Sequence, residues 1–424
     1  MSLYIVGVSQ TFGTLRSLTK MHCSSLIRLP QEIQLVAILF CDQAEQKALR
    51  CCCRALNAYI LPILYRTVFL DILPSSMSRV HNIANKTEIG RHVRELVISN
   101  NLLAPCSLRS FERQIRYHEP ASLKFLDEDI PLIMNQSSIE TLLDSCSIWE
   151  TRYWLKSQFK SYWRYVTFQK THLTSESMTL RSLLLKFPNL RKVTIYKLDD
   201  ITKSISWVDV SKEVFPNAEG CFSLHNWTST MIDNFSIFAH LMLNCSRLMD
   251  RLTSLEIDFV ASETWQLAGI YEAWSNLRIL KLHAGCDDTI QTRSMVTEGL
   301  AMVIQRIPLV IELRISIVPS CGYLSRIDFH HVFCDSSQLT NLQILDIETG
   351  IIDQRNLLTL YQRHRDTLHT LTICNFHLSI GTWQEVLAQF SDNADRCNFV
   401  LEALTDGDGW NIETVIPFCH RLRL

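Results

Sequence analysis

Leu277-Arg278-Ile279-Leu280-Lys281-Leu282 is one of seven short stretches that place apolar residues at the first, fourth and sixth positions. Side chains alternate along a β-strand, so the fourth and sixth residues point to one face and the fifth to the other. Each stretch therefore predicts a short strand with one buried face. The stretches begin at Val93, Leu190, Leu252, Leu277, Val310, Leu342 and Leu368.

The same spacing resembles the strand portion of a leucine-rich repeat. From Leu252 the starts advance by 25, 33, 32 and 26 residues, which leaves room for one strand and one helix in each unit. The earlier gaps are longer, so the array is irregular. We predict an α/β fold, in which an N-terminal all-α module precedes an irregular leucine-rich-repeat-like solenoid over residues 71–424. The alternative is an open α/β sheet in which these stretches are ordinary buried strands.

The repeat is interrupted near residues 104–185 by a predicted helical insertion that is rich in aromatic and basic residues. Interleaved Lys156 and Lys160 would suit single-stranded nucleic acid if they shared a face with the aromatic rings. Helical spacing places these two lysines on a different face of the helix from Trp149 and Trp163. We therefore expect aromatic packing with basic side chains in water, and no nucleic-acid partner.

The composition is that of an ordinary globular protein, with 424 residues, 47% hydrophobic and 20% charged. At this length at least two structural units are expected. The formal net charge of -2 gives no general attraction to nucleic acid or to an anionic membrane. No apolar run approaches the roughly 18 residues that indicate a transmembrane helix. We expect no membrane partner and a cytoplasmic or nuclear location.

The 15 cysteines do not form a recognisable framework, because their number is odd and no Cys-x-x-Cys pair occurs. Cys51, Cys52 and Cys53 are adjacent and would diverge on a helix, so we expect buried reduced thiols and no metal site. His330 and His331 also diverge. The sequence lacks the common nucleotide-binding and hydrolase motifs. We predict no catalytic residue and no cofactor, while an α/β enzyme of unfamiliar chemistry stays open as a minor alternative.

The N-terminal region reads LPQEIQLVAILFCDQAEQKALRCCCRALN from Leu29 to Asn57. Pro30 suits the first position of a helix, and Glu32 adds favourable charge to its first turn. A second helix is predicted from the spacing of Leu49, Cys52, Cys53, Leu56 and Ile60. A module this small buries little surface, so exposed apolar groups at its start suit docking better than a private core.

This region resembles the F-box of fungal type, on the basis of Leu29-Pro30, Glu32-Ile33, Leu49-Arg50, Cys53-Arg54 and Asn57. The resemblance implies an F-box-like helical module at residues 21–70, after a disordered leader at 1–20. It implies a Skp-type adaptor as partner and, through the adaptor, a cullin. Larger aliphatic residues usually stand at Ala37, Cys41 and Gln46. The implied adaptor contacts are Leu29, Pro30, Glu32, Ile33, Ile38, Leu49, Arg50 and Arg54.

A receptor of this kind needs a surface for its protein target. If the predicted strands stack in order, Glu256, Lys281, Arg314 and Asp346 form an exposed ribbon of mixed charge, which we expect to bind substrate. The alternative is a solvated face with charges paired across strands. The sequence thus predicts the substrate-recognition subunit of a Skp-cullin-F-box ubiquitin ligase, without an active site of its own. The main rival is a non-catalytic interaction scaffold that does not recruit the ligase.

Overall fold

The fold is mixed α/β and is seen in a computed structural model of the chain. Within the described residues, thirteen strands form one sheet, and most neighbouring strands run parallel. The predicted leader at 1–20 lies outside these residues. The structure describes residues 28–99, 148–173, 178–196, 251–260, 276–286, 290–319, 327–333, 339–391, 396–406, 411–412 and 416–418.

Three helices open the described chain: α1 (Gln31–Phe40), α2 (Gln43–Cys52) and α3 (Arg54–Leu64). A capping box begins α2, because Asp42 Oδ1 accepts from the Glu45 N–H at 2.7 Å and Glu45 Oε2 accepts from the Asp42 N–H at 2.9 Å. The prediction of one helix through Leu49 and Ile60 is wrong. The chain is extended at Cys53, whose φ is -160°, and its sulfur caps α3.

The three helices share a small core of their own. Ile38, Leu56 and Ile60 are fully buried there, and partly buried Leu49 packs against them. Gln46 is also buried; its side-chain amide donates to the carbonyls of Ile38 and Cys41, both at 3.0 Å. Gln46 thus caps the end of α1: it is a second donor to the Ile38 carbonyl, which also accepts from the Cys41 N–H at 3.2 Å, and it binds the Cys41 carbonyl beyond the helix. This polar role explains why a larger aliphatic residue is not required at this position.

The strands are confirmed where the sequence predicts them. All three apolar positions of each of the seven stretches are at most 2% exposed. Six other described strands lie in the same sheet, and two of them, the first and the tenth along the chain, bury the fourth and sixth positions but lack an aliphatic residue at the first. The strands are β1 (Thr67–Asp71), β2 (Glu95–Ser99), β3 (Lys192–Tyr196), β4 (Ser254–Val260), β5 (Ile279–Cys286), β6 (Glu312–Pro319), β7 (Ile327–Asp328), β8 (Ile344–Ile352), β9 (Thr370–Leu378), β10 (Asn398–Glu402), β11 (Leu404–Asp406), β12 (Asn411–Ile412) and β13 (Ile416–Phe418).

The main path through the sheet follows chain order: β1-β2-β3-β4-β5-β6-β8-β9-β10-β13. Neighbours from β1 to β10 are parallel, and β13 is antiparallel to β10. Because β1 begins at Thr67, the sheet starts slightly before the predicted boundary at residue 70. Equivalent residues lie side by side, so Leu255, Leu280 and Leu313 form one continuous buried row.

Helices lie between the strands, and most of them bury apolar residues in the same core as the inward rows of the sheet. Leu300, Leu357 and Trp383 are examples, each fully buried in that cluster. Asp353 caps its helix by accepting from the Asn356 N–H at 2.7 Å. These helices are α4 (Pro74–Asn85), α5 (Thr87–Gly90), α6 (Ile148–Leu173), α7 (Met178–Leu185), α8 (Ile290–Ile304), α9 (Phe329–Phe333), α10 (Gln354–His364) and α11 (Trp383–Ser391).

The predicted helical insertion near 104–185 is described from residue 148 to 173 and from 178, where α6 and α7 lie; residues 104–147 and 174–177 are outside the description. Tyr162 is buried, and Lys156 and Lys160 are exposed, as the packing interpretation requires. Tyr153, which helical spacing places with the two lysines, is exposed like them, but Trp163 differs from the interpretation because it is 43% exposed. Aromatic packing therefore accounts for only part of this helix.

Two other expectations concern thiols and membranes. Cys397 is buried, but Cys51 and Cys52 are exposed, so the prediction of buried thiols is wrong for that pair. In α2 their side chains point away from the small core. Among the described helices, none combines the length and apolar character required to cross a bilayer.

Candidate functional site

Two surfaces follow from this architecture, and the first lies on α1. Ile33, Val36 and Phe40 recur every three or four residues, which places them along one side of the helix. With Leu29 and Leu39 they are between 40% and 64% exposed. We call these five residues the apolar stripe. Single exposed apolar residues are ordinary, whereas a contiguous group of five indicates a contact surface.

The apolar stripe contains two of the residues implied by the family resemblance, Leu29 and Ile33, and adds three others. Val36 and Phe40 were missed, although their spacing from Ile33 was the available signal. Ile38 lies on the opposite side, fully buried against Leu56. Its side chain supports the module and is not accessible to a partner in this structure.

The remaining implied contacts differ in their surroundings. Pro30, Glu32 and Arg54 are exposed, and Leu49 is half-buried. Arg50 donates a hydrogen bond to the Tyr65 hydroxyl at 2.9 Å, and its guanidinium carbon lies 5.7 Å from the centre of that ring. Arg50 therefore links α2 to the residue that follows α3.

The second surface is the exposed face of the parallel sheet. The register places Glu256 beside Lys281, Lys281 beside Arg314, and Arg314 beside Asp346. The four residues predicted to form a ribbon are therefore neighbours in one row, and we call this row the charged ribbon. Each has between 29% and 45% of its side chain exposed.

Charges in the ribbon are paired across strands, as the alternative interpretation predicts. Arg314 Nη1 lies 3.4 Å from Asp346 Oδ2, and Lys281 Nζ lies 3.4 Å from Glu312 Oε1. Lys192 Nζ lies 3.7 Å from Glu256 Oε2 and 2.7 Å from Glu95. These exposed pairs contribute little to stability individually, but they fix the positions of the charged groups.

Glu312 is the ribbon's most important partner that sequence reasoning missed. Burial by itself favours its protonated form, but the hydrogen bond from Arg314 and the charge of Lys281 outweigh this and lower its pKa. The pKa of Asp346 is raised, chiefly by burial, although Arg314 opposes the shift. The signal for Glu312 was its place two residues before Arg314, on the same strand face.

The adjacent row of the same face contains Ser316, Glu348 and Cys374. The Ser316 hydroxyl donates to Glu348 Oε2 at 2.6 Å. Burial, together with the negative charge of Glu402, raises the pKa of Cys374 to about 11. A thiol with such a pKa is a poor nucleophile near neutral pH, because little thiolate is present.

Each of the two adjacent histidines lies near a different carboxylate. His330 Nδ1 lies 4.0 Å from Asp353, and His331 Nε2 lies 3.7 Å from Asp328. Across the described ranges, no group of three or more His, Cys, Asp or Glu side chains is arranged to hold a metal ion. The two histidines therefore act as separate surface groups.

The chain was also compared with known proteins. A scan against models of known protein families finds no match, and a search of curated proteins finds no significantly similar sequence. Function is therefore inferred from the two surfaces.

Proposed function

We propose that this protein is the substrate-recognition subunit of a Skp-cullin-F-box ubiquitin ligase. The apolar stripe on α1 carries the proposal. A three-helix module with three fully buried apolar side chains has little core of its own, yet it exposes four large apolar residues on its first helix and Leu29 just before that helix. Covering such a stripe by a partner removes apolar area from water, and each well-buried Ile or Leu contributes about 1.5–3 kcal/mol.

The partner that we assign to the stripe is a Skp-type adaptor, since Leu29, Pro30 and Ile33 are contacts implied by the F-box resemblance. Glu32 and Arg54 are exposed and suited to orient that partner. Ile38 is assigned a supporting role in the module core, and Arg50 a role in connecting α2 to Tyr65. The adaptor interface thus centres on the start and outer side of α1.

The sheet is the proposed target-binding part, and we interpret it as an irregular leucine-rich-repeat-like solenoid. Its strand order follows the chain and its strands are paired without stagger at the ribbon, both of which support this interpretation. The charged ribbon would then present Glu256, Lys281, Arg314 and Asp346 to a protein target. Holding the target near the conjugating enzyme raises its effective concentration, so the subunit needs no catalytic group.

The test uses two exposed isoleucines. Ile33→Asp places a charge in the apolar stripe, while Ile380→Asp makes the same change at a site 75% exposed and far along the chain. We expect Ile33→Asp to weaken binding of the purified Skp-type adaptor at least tenfold, and Ile380→Asp to have little effect. Isothermal titration calorimetry on the full chain measures both, and thermal unfolding checks the fold. Equal adaptor affinity for the two variants would overturn the proposal.

The second candidate is an interaction scaffold that does not recruit the ligase. It is favoured by the burial of Ile38, which removes one implied adaptor contact from the surface. Affinity purification separates the candidates, because only a ligase subunit retains adaptor and cullin together with its target. Absence of adaptor and cullin from every preparation would favour the scaffold.

A further inference from the structure

A row of arginines lies at the amino-terminal ends of the first strands. Arg66 lies directly before β1, Arg94 before β2, Arg191 before β3 and Arg278 before β5. We call these four residues the arginine edge. The corresponding position before β4 is held by Thr253.

Backbone hydrogen bonds align the row. The Arg94 N–H donates to the Arg66 carbonyl at 2.9 Å, and the Arg191 N–H donates to the Arg94 carbonyl at 2.8 Å. The Thr253 N–H donates to the Arg191 carbonyl at 2.9 Å, and the Arg278 N–H donates to the Thr253 carbonyl at 2.8 Å, so the row continues to Arg278. Neighbouring strands are about 4.8 Å apart, so four steps from Arg66 to Arg278 span roughly 19 Å.

The positive charge of this edge is not neutralised within the described residues. Arg66, Arg94 and Arg191 are exposed, and none forms an ion pair with a carboxylate there. Arg191 donates to the Arg251 carbonyl at 3.3 Å, and Arg278 donates to the Leu309 carbonyl at 3.1 Å; carbonyls orient a guanidinium without cancelling its charge.

Nearby groups behave as expected for a positive surface. Glu95 follows Arg94 directly, but its carboxylate is engaged by Lys192 at 2.7 Å. The pKa of His92 is lowered by burial and by the charges of Arg91 and Arg94. Adding another positive charge here is unfavourable, whereas adding a negative one is favourable.

We propose that the arginine edge binds an acidic segment of a partner protein. Arginine presents a planar fork of donors that matches a carboxylate in a bidentate manner. An extended peptide advances about 3.3 Å per residue, so about six residues cover the roughly 19 Å of the edge. A segment rich in Asp and Glu therefore fits both its charge and its length.

Nucleic acid fits this edge less well. Single-stranded chains bind through aromatic side chains that stack on bases, and the five edge positions hold four arginines and a threonine. The inference does not depend on adaptor binding by α1 and would hold equally for a scaffold protein.

Fluorescence anisotropy with the full chain tests the proposal. The probe is a labelled peptide of about eight residues, alternating Asp and Glu, which extends over roughly 26 Å. We expect binding at low ionic strength that weakens as salt increases. Replacing the first three arginines, Arg66→Gln with Arg94→Gln and Arg191→Gln, should raise the dissociation constant at least tenfold.

A matched control removes the same three charges elsewhere. Lys160→Gln, Arg164→Gln and Arg355→Gln change exposed basic residues on α6 and α10, and should alter peptide affinity less than twofold. Thermal unfolding verifies that both triple variants are folded. Equal loss in the two triple variants would indicate a general charge effect and overturn the proposal. Tighter, edge-dependent binding of a labelled single-stranded oligonucleotide would overturn it in favour of nucleic acid.

Discussion

Arg314 donates a hydrogen bond from Nε to Oε1 of Glu312 at 2.7 Å, on the exposed face of one strand. Lys281 on the neighbouring strand lies 3.4 Å from the same carboxylate oxygen. One carboxylate thus holds the two cations of the charged ribbon in place. Glu312 is therefore the residue through which the geometry of the ribbon can be disturbed without altering the ribbon itself.

Glu312→Gln should lower the free energy of unfolding at neutral pH by less than about 1 kcal/mol, the usual range for exposed pairs. The pKa of Glu312 is lowered from its ordinary value of 4.5, so its contribution is present above that value and is lost as the pH falls through the folded pKa. Urea unfolding of the variant and the native protein should therefore converge in acid. Glu402→Gln, at an exposed site, is the control. If it lowers the free energy of unfolding as much as Glu312→Gln does, the ion pairs of Glu312 have no specific effect on stability.

Reversing the two cations of the ribbon tests its role in target binding. Lys281→Glu with Arg314→Glu should change the set of proteins that co-purify with the chain, because like charges now face Glu312 and Asp346. Quantitative mass spectrometry of the purified complexes measures this change. An unaltered set of partners, from a variant whose thermal midpoint is preserved, would show that the ribbon is only a solvated face.

The N-terminal module should unfold separately from the sheet. Leu56→Ala removes a fully buried side chain from a core that is distinct from the main one, at a cost of about 2–5 kcal/mol. Hydrogen exchange with mass spectrometry should show faster exchange within residues 31–64 and unchanged protection of the central strands. Leu345→Ala, in the main core, is the control and should raise exchange across the sheet.

A buried histidine should make the protein less stable in mild acid. Burial, with a smaller effect of Arg363, lowers the pKa of His364 from 6.5 to about 4. Between these values the unfolded chain binds the extra proton, so the free energy of unfolding decreases as the pH falls from 6.5 towards 4. This difference in pKa corresponds to a decrease in the free energy of unfolding of about 3 kcal/mol at most.

Replacing that histidine with an apolar residue separates its effect from general acid sensitivity. His364→Leu should lose less stability than the native protein between pH 7 and pH 5, as measured by urea unfolding at each pH. His369→Leu, at an exposed site, should keep the native pH dependence. Identical slopes for the native protein and His364→Leu would contradict the assignment.

Gly350 should not tolerate a side chain. A methyl group on its backbone would overlap the rings of Phe329 and Phe376, which pack around it with centroids 5.2 Å apart. Gly350→Ala should cost about 1–3 kcal/mol, as overpacking of a core does. Adding Phe329→Leu should recover part of this loss by making room. Chemical unfolding of Gly350→Ala, of Phe329→Leu and of the double variant measures the coupling, and strictly additive losses would contradict the proposed overlap.

The sequence predicted the individual strands well because alternation is a local property. In Leu342-Leu345-Ile347, as in the other six stretches, the buried positions follow directly from the spacing of apolar residues. The strands that were missed show the limit of that rule. The first position is Tyr65 in β1 and Arg396 in β10, so neither matches the aliphatic pattern.

The two candidate surfaces were predictable to different degrees. Glu256, Lys281, Arg314 and Asp346 follow from one repeated position, and the strand register confirms that they are neighbours. On α1, the sequence did not distinguish buried Ile38 from exposed Phe40. Both are apolar, and their separation depends on where Leu56 and Ile60 pack.

By itself, the sequence determined which residues face inward along each strand, because side-chain alternation and hydrophobic burial act within a few residues. Only the tertiary structure decided that Ser99 lies beside Tyr196 and that Ile195 lies beside Ile257, across long stretches of intervening chain. It also decided that Arg66, Arg94 and Arg191 stand in one row. Pairing between strands is made by backbone hydrogen bonds, which carry no information about side-chain identity, so the partners emerge only when the whole core is packed.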